Sequence, residues 1–437
     1  MSSMKARYFV VKLFLAGLLA LTLTGLTSCR SGSDTAILWT DRPEFAFYAG
    51  YFNASQDRYK VEVRFFESVA QQLAESEEIP DIVVGGWLRS ASTKAIFRPL
   101  DSLFSRGGFS RSQGGLSRSP DGLARSSFYS PLLSLGVVDR RQYLLPVNFN
   151  IPAIVFTREF SDIHSNPFTI EMEEIRERGK AFNMTRNNAF TRIGFSPLSN
   201  AEFLFIAASL FGAGFREASP IAWDTQAMDR AVTWMQQWIV EANTSIQMEE
   251  AFASKFFFEP PENLVNSGRV LYIHMNSSRF FTLPEERRAN LDLRWIASNE
   301  MVPLDEWSVY LGIHRRTKAR RAAEAFTKWF FDAETQRLLL EEAKRTRLKE
   351  TTFGIAGGFS AMRTVTEHIF PQFYPGLLGR MPPDNFLAPT NILPQNWLTV
   401  KERVILPYLR DRIRHSNREE VRPLERRLID WYRLNRG

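Results

Sequence analysis

The 437-residue chain has a single cysteine, Cys29, and only five histidines. One cysteine excludes an intramolecular disulfide and any cysteine-based zinc or iron–sulfur site. His164, His274, His314, His368 and His415 stand at least 40 residues apart and form no HExxH or HxH pattern, so no metal is expected. There is no P-loop, no dinucleotide-binding glycine fingerprint and no GxSxG elbow. Gly354-Ile-Ala-Gly-Gly358 lacks the Lys-Ser/Thr and the glycine spacing of a phosphate cradle and reads as a turn. The adjacent Asp305 and Glu306 do not predict glycoside hydrolysis, which needs two acids at a defined separation across a cleft. A protein that is not an enzyme and holds no cofactor is therefore expected. A dominant charge is also lacking, with 55 Lys+Arg against 48 Asp+Glu. Three of the seven surplus positive charges (Lys5, Arg7 and Lys12) fall within residues 1–28, which contain no acid, leaving a surplus of only four elsewhere. That is too thin for a nucleic-acid footprint, and no nucleic-acid partner is expected.

One long apolar run is present, Leu13 to Leu26, preceded by the basic segment. At 14 residues it is short for a membrane span and fits the core of a secretory signal. It ends in Leu26-Thr27-Ser28-Cys29, which resembles the lipobox of bacterial lipoproteins, in which the cysteine thiol takes a diacylglycerol. The chain's one cysteine stands where that chemistry needs it. Residues 1–28 are thus expected to be a lipoprotein signal peptide, Cys29 the lipidation site and 29–35 a tether. The acyl chains, palmitate among them, would anchor the protein on the outer side of the cytoplasmic membrane, facing the periplasm or the exterior.

Beyond the tether, Ala36-Ile-Leu-Trp39 reads as a buried strand, with Thr40 or Asp41 placed to cap a helix that carries Phe45, Tyr48, Ala49 and Phe52 at helical spacing. Val61–Phe66 alternates as a strand and Pro80-Asp-Ile-Val-Val-Gly85 is a short apolar one. This alternation predicts an α/β domain with a mainly parallel sheet, whose ligands bind beyond the carboxyl ends of the strands. Residues 105–128, with seven serines, five glycines and four arginines, read as a flexible, solvated insertion. Gln142–Phe156 is long enough to cross between domains. Asn200, Asp224 and Asp332 are expected helix caps, and the helix after Asp224 has a clean core face that includes Met235 and Trp238. Gly268–Met275 reads as a strand, Glu306–Ile313 as a second crossing, and the basic tail from Trp397 as helical with a solvated face.

In this order the segments resemble the extracellular solute-binding proteins of ABC importers, family 1, the maltose-binding-protein type. The resemblance runs along essentially the whole mature chain. It is carried by Pro80–Gly85 followed by Phe97-Arg-Pro-Leu-Asp-Ser-Leu103, by Tyr143-Leu-Leu-Pro-Val-Asn-Phe-Asn150, by Gly268-Arg-Val-Leu-Tyr272, by Trp307–Ile313 and by Ala322–Trp329. The family's glycines before the tryptophan are here Asp305 and Glu306. The resemblance implies a two-lobed periplasmic-binding-protein (Venus-flytrap) fold with hinge-crossing strands and C-terminal helices. One lobe would comprise 36–147 and 307–345, and the other 148–306 and 346–437. It implies a carbohydrate ligand, an oligosaccharide or sugar derivative, captured between the lobes by hinge closure. It also implies delivery to the transmembrane subunits of an ABC permease by a monomeric protein. Trp39, Asp41, Arg42, Trp87, Asn148, Asn150, Asn276, Ser277, Trp307 and Trp397 are the ligand-binding residues it suggests, with Trp397 as a stacking platform. Three alternatives stay open: the same fold binding a polyol phosphate through Arg42 and Arg89, a surface lipoprotein acting as an adhesin or signalling partner, and a lipid-anchored hydrolase.

Overall fold

A computed structural model describes residues 34–104, 122–219, 221–415 and 418–435. The signal segment, Cys29 and residues 105–121 of the serine-rich stretch lie outside the described residues. The strands that position the site are, in chain order, β1 (Thr35–Thr40), β2 (Lys60–Phe65), β3 (Ile82–Gly85), β4 (Leu144–Phe149), β5 (Pro152–Thr157), β6 (Thr169–Glu171), β7 (Ile273–Asn276), β8 (Leu291–Ala297), β9 (Val302–Pro303), β10 (Val309–Ile313), β11 (Phe359–Ser360) and β12 (Leu387–Ala388).

They form two sheets and a short ribbon. The first sheet has the order β11-β4-β10-β3-β1-β2, the second β7-β5-β8-β6, and β9 pairs with β12. In the first sheet β1 is parallel to β2 and β3, while β10 runs antiparallel between β3 and β4. Strands β3, β4, β5 and β10 are buried at every residue, so both faces of each sheet are covered. That is why these strands read as unbroken apolar runs rather than as alternation. The chain leaves the first sheet through Asn150-Ile151 and returns through 304–308. The two-lobed α/β fold expected from the sequence is the fold observed.

Three apolar clusters hold this frame. One fills the helix-covered face of the first sheet (Leu38, Phe45, Phe326, Phe330) and runs without a break across the crossing strands to Trp295 and Phe281. A second, around Trp39, Val83, Phe97 and Tyr310, covers the sheet's other face. The third builds the second lobe from the helices Ala201–Leu210, Thr225–Ala242 and Leu406–Arg414, with Trp238 and Trp397 at its centre. Asn200, Asp224 and Asp332 cap their helices as expected, each accepting a backbone N–H three residues on.

The structure corrects several expectations. Neither Thr40 nor Asp41 caps the first helix, which starts at Glu44 without a side-chain cap. Thr40 instead accepts the Arg42 N–H, and Asp41 reaches across to Gly86. The strand expected from Gly268 begins only at Ile273, because Gly268 (φ +66°) turns the chain out of the helix Pro261–Asn266. Residues 122–128 are not part of a loose insertion. Leu123 and Phe128 are buried, and the Arg125 guanidinium bonds Asp101 and Gln142 and lies 4.1 Å from the Phe104 ring centroid. The lobe boundary at residue 346 is crossed by β11, which pairs with β4 in the first sheet. Asn148, assigned above to the second lobe, stands on β4 in that same sheet.

Candidate functional site

The two crossings run side by side and are braced by the side chains between them. Asp305 N–H donates to Asn150 O at 3.0 Å, tying one crossing to the other. Asn150 Oδ1 accepts the Ser277 hydroxyl at 2.6 Å, and Ser277 Oγ in turn accepts Ile151 N–H at 3.2 Å. Asn150 Nδ2 donates to Gly357 O, Asn148 Nδ2 to Ala356 O, and Asn148 Oδ1 accepts Val309 N–H. The Gly354–Gly358 turn is therefore a docking point for two hinge asparagines. Asn148, Asn150 and Ser277 are buried, and their polar atoms are engaged by the protein itself. They hold the crossings together.

Beside this brace lies a cavity of about 570 Å³, walled by the second lobe and by the returning crossing. Its second-lobe wall is formed by Glu202 and Phe205 from the helix Ala201–Leu210, by Phe215, by His274 and Asn276 at the end of β7, and by Arg279. Asp305, Glu306 and Trp307 enter from the crossing, and Lys401 from the C-terminal helices. Lys401 opens a π-helical turn, Lys401–Ile405, inserted between two α-helical segments. Such bulges re-aim side chains and recur at functional sites. Its ammonium lies 2.8 Å from Glu202 and 2.9 Å from Glu306, and 4.9 Å from the Phe205 ring centroid. Burial works against that charge, but Glu306 and Glu202 outweigh it and hold the Lys401 pKa above the ordinary lysine value.

Asp305 and Glu306, neighbours in sequence, have separate partners. Glu306 pairs with Lys401, whereas Asp305 accepts the Asn276 amide at 2.8 Å. Burial, reinforced by the Glu306 charge, pushes the Asp305 carboxyl up to about 7. Burial keeps His274 neutral, its pKa pushed down to about 3, and its Nε2 has no protein partner. The folded protein holds the Asp305 proton at pH values where the unfolded chain, with a carboxyl near 3.9, has lost it. The stability linked to this proton is whole below about pH 4 and lost as pH rises through 7. Burial raises Asp41 to about 6 and Glu249 to about 7, in the same sense. These carboxyls favour about pH 5.5 over about pH 8, whereas the depressed His274 opposes them because the unfolded chain gains that proton as pH falls. The test is therefore differential: the melting temperature at about pH 5.5 relative to about pH 8 should be lower in Asp305→Asn than in wild type, and an unchanged difference would count against the Asp305 assignment.

Behind Trp307, outside the cavity lining, the first lobe presents an aromatic and cationic group. The Arg42 guanidinium sits 4.7 Å from the Trp307 ring centroid, and Trp87 meets Trp307 edge-on at 5.8 Å. Asp41 accepts Gly86 N–H at 3.1 Å and lies 3.2 Å from Arg42 Nε. A Cβ on Gly85 would fall 2.7 Å from Asp41 Oδ2, so this approach requires glycine. Trp87 holds φ at +57°, unusual for a bulky residue, and packs against apolar clusters of both lobes. Trp307 Nε1 and Arg42 Nε and Nη2 are buried without a hydrogen-bond partner.

Of the ten residues expected from the sequence, Asn276 and Trp307 line the cavity, and Arg42, Asp41 and Trp87 group behind Trp307. Trp39 and Trp397 differ from expectation. Trp39 is buried in the first lobe, its ring 4.9 Å from Phe66. Trp397 is 0 % exposed, wedged against Phe205 and Phe215 at 5.7 and 5.4 Å. No face of its ring is open for stacking, because the apolar helix Ala201–Leu210 and the Phe215 loop close over it. Its Nε1 points toward Glu306 Oε1 at 3.4 Å. Glu202, Phe205, Phe215, His274, Arg279, Glu306 and Lys401 line the cavity without having been singled out as ligand residues. Among the described residues no group of three or more His, Cys, Asp or Glu could hold a metal ion, and no helix is long and apolar enough to cross a membrane.

No protein-family model matches the sequence, and no curated protein matches it significantly. Many solved structures share its fold. A cyclo/maltodextrin-binding protein complexed with maltotetraose superposes with a TM-score of 0.59 at 14% identity, covering 94% of this chain and 100% of its own. The cyclic α-maltosyl-1,6-maltose binding protein of Arthrobacter globiformis gives 0.57 at 13% identity, over 90% and 96% of the two chains. An ABC substrate-binding protein of Listeria monocytogenes in complex with cycloalternan gives 0.55 at 12%, over 91% and 96%. The chain thus has the two-lobed periplasmic-binding-protein fold of these maltodextrin-type binding proteins.

Proposed function

We propose that this protein is the lipid-anchored substrate-binding component of an ABC importer, capturing a carbohydrate between its lobes and delivering it to the permease by hinge closure. The observation that carries this reading is the cavity where the second lobe meets the returning crossing: the partly buried Trp307 ring stands beside the carboxylates of Glu202, Asp305 and Glu306, the Asn276 amide, a neutral imidazole and a fixed ammonium. Sugars present apolar ring faces and dense hydroxyls, and this pairing of an aromatic with donors and acceptors suits both. A ligand touching both lobes would favour closure by its differential affinity for that state. The alternative of a polyol phosphate is disfavoured by charge: Arg42 is already balanced by Asp41, and three carboxylates face two cations along the cavity.

Titration with maltodextrins and other oligosaccharides, followed by tryptophan fluorescence and small-angle scattering, tests the reading. A binding sugar should shift the emission and compact the molecule. Trp307→Ala should bind at least roughly tenfold more weakly, about 1.4 kcal/mol, with a melting temperature close to wild type because its indole is only partly buried. Failure of every sugar to bind, together with a tightly bound non-sugar solute recovered by native mass spectrometry, would overturn the carbohydrate assignment. For the anchor, Cys29→Ser should abolish incorporation of labelled palmitate; unchanged labelling would remove Cys29 as the lipidation site.

A further inference from the structure

Outside the cavity lining, the helix Ile246–Lys255 ends in Phe256-Phe257-Phe258-Glu259-Pro260-Pro261. Phe256 turns inward, its ring 4.9 Å from Phe252. Phe257 and Phe258 turn outward, 76% and 94% exposed, the second being the most exposed large apolar side chain among the described residues. Their rings meet edge-on at 5.1 Å, forming one apolar knob. The turn beneath is built: Glu259 N–H donates to Phe256 O and Asn263 N–H to Pro260 O, and Pro261 starts the next helix. Two cations flank its base, with Lys255 Nζ at 5.3 Å and Arg269 Cζ at 5.4 Å from the Phe256 ring centroid. Glu259 is the one exposed carboxylate of the turn, since Glu262 is buried and paired with Arg287.

We propose that the Phe257–Phe258 tip is a membrane-contact site that dips into the interface of an anionic lipid bilayer, with Lys255 and Arg269 meeting the headgroups. Exposing two adjacent phenylalanines on a hydrogen-bonded turn has no evident folding benefit, because among the described residues they stay 76% and 94% exposed. Two rings offer at most about 150–250 Å² each, well short of the ~800 Å² per partner that a stable protein interface needs. A bilayer requires no matching surface: apolar side chains sink into the acyl boundary while basic residues stay among anionic headgroups. A tip that touches the membrane would give an anchored chain a second attachment point and so restrict the orientations it samples.

The test uses the full chain with Cys29→Ser, which removes the acylation site and the competing thiol, and Glu259→Cys labelled with an environment-sensitive nitrobenzoxadiazole dye. The dye reports on this turn whatever the N-terminal segment does. Vesicles of phosphatidylcholine with phosphatidylglycerol should shift its emission to the blue, and lipids spin-labelled in the acyl chain should quench it. Phe257→Ser/Phe258→Ser in the same background should weaken the response at least about tenfold, with an unchanged melting temperature. No shift with anionic vesicles would overturn the proposal. A shift that survives the double substitution, or one seen only when a permease is reconstituted in the vesicles, would overturn it equally, the latter in favour of a protein partner.

Discussion

Trp397→Ala is expected to lower the stability of the folded protein by about 3–5 kcal/mol, the range for truncating a large aromatic in a close-packed core. The indole is wholly enclosed by Phe205, Phe215 and its own helix, so its removal leaves a void that this neighbourhood cannot collapse to fill. Thermal or urea denaturation of the ligand-free variant measures the loss. A change below about 1 kcal/mol, of the size found at surface sites, would show that the ring is not the keystone it looks to be. The contrast with Trp307→Ala is informative. Both tryptophans stand within reach of Glu306, but one should act on folding and the other on binding.

The second large effect is expected at Lys401. Its ammonium is 5% exposed and is the cation that meets both Glu202 and Glu306, the latter 11% exposed beside the buried Asp305. Lys401→Met keeps the volume and removes the charge, leaving the largely buried Glu306 without its cation while the half-exposed Glu202 can turn to solvent; breaking a buried pair costs about 3–5 kcal/mol. The double variant Lys401→Met/Glu306→Gln should recover a good part of that loss, since it removes the stranded charge as well. Urea midpoints for the four members of this cycle give the coupling directly, and a strictly additive double variant would mean that the pair does not interact.

These two residues mark where the sequence could be read and where it could not. The strands of the lobes, the helix caps at Asn200, Asp224 and Asp332, and both crossings were legible because each is written locally, as an apolar run, a capping side chain or a length. Trp397 was visible as a tryptophan at the start of a helix, but nothing local tells an enclosed ring from an open one. Its enclosure comes from Phe205 and Phe215, almost two hundred residues away. Lys401 sat in a tail rich in alternating charge and read as solvated, whereas its partners Glu202 and Glu306 arrive only through tertiary folding. Asn148 and Asn150 stand on the expected crossing strand and Ser277 follows a second-lobe strand, yet the polar atoms of all three brace the backbone where the crossings meet. Phe205 and Phe215 carry no local mark of a site residue; both are buried core side chains that also line the cavity. Residues 122–128 share the composition of the serine-rich stretch, and only Leu123 and Phe128, two apolar side chains among small and polar ones, hinted that they pack.

Under the proposed function, the carboxyl of Asp305 bears on solute capture as well as on folding. A group with its pKa raised to about 7 in the cavity wall exchanges protons with the buffer whenever its surroundings change. A ligand hydroxyl donating to this oxygen favours the carboxylate and expels a proton; a ligand that merely displaces water deepens the desolvation and draws one in. Capture at pH 7 is then a two-component reaction, solute and hydron together, and its calorimetric heat includes the ionisation enthalpy of whichever buffer supplies or accepts the difference. On that reading the acidity of the surroundings becomes a co-substrate of solute uptake, with a stoichiometry whose sign records which atom of the solute sits against Asp305.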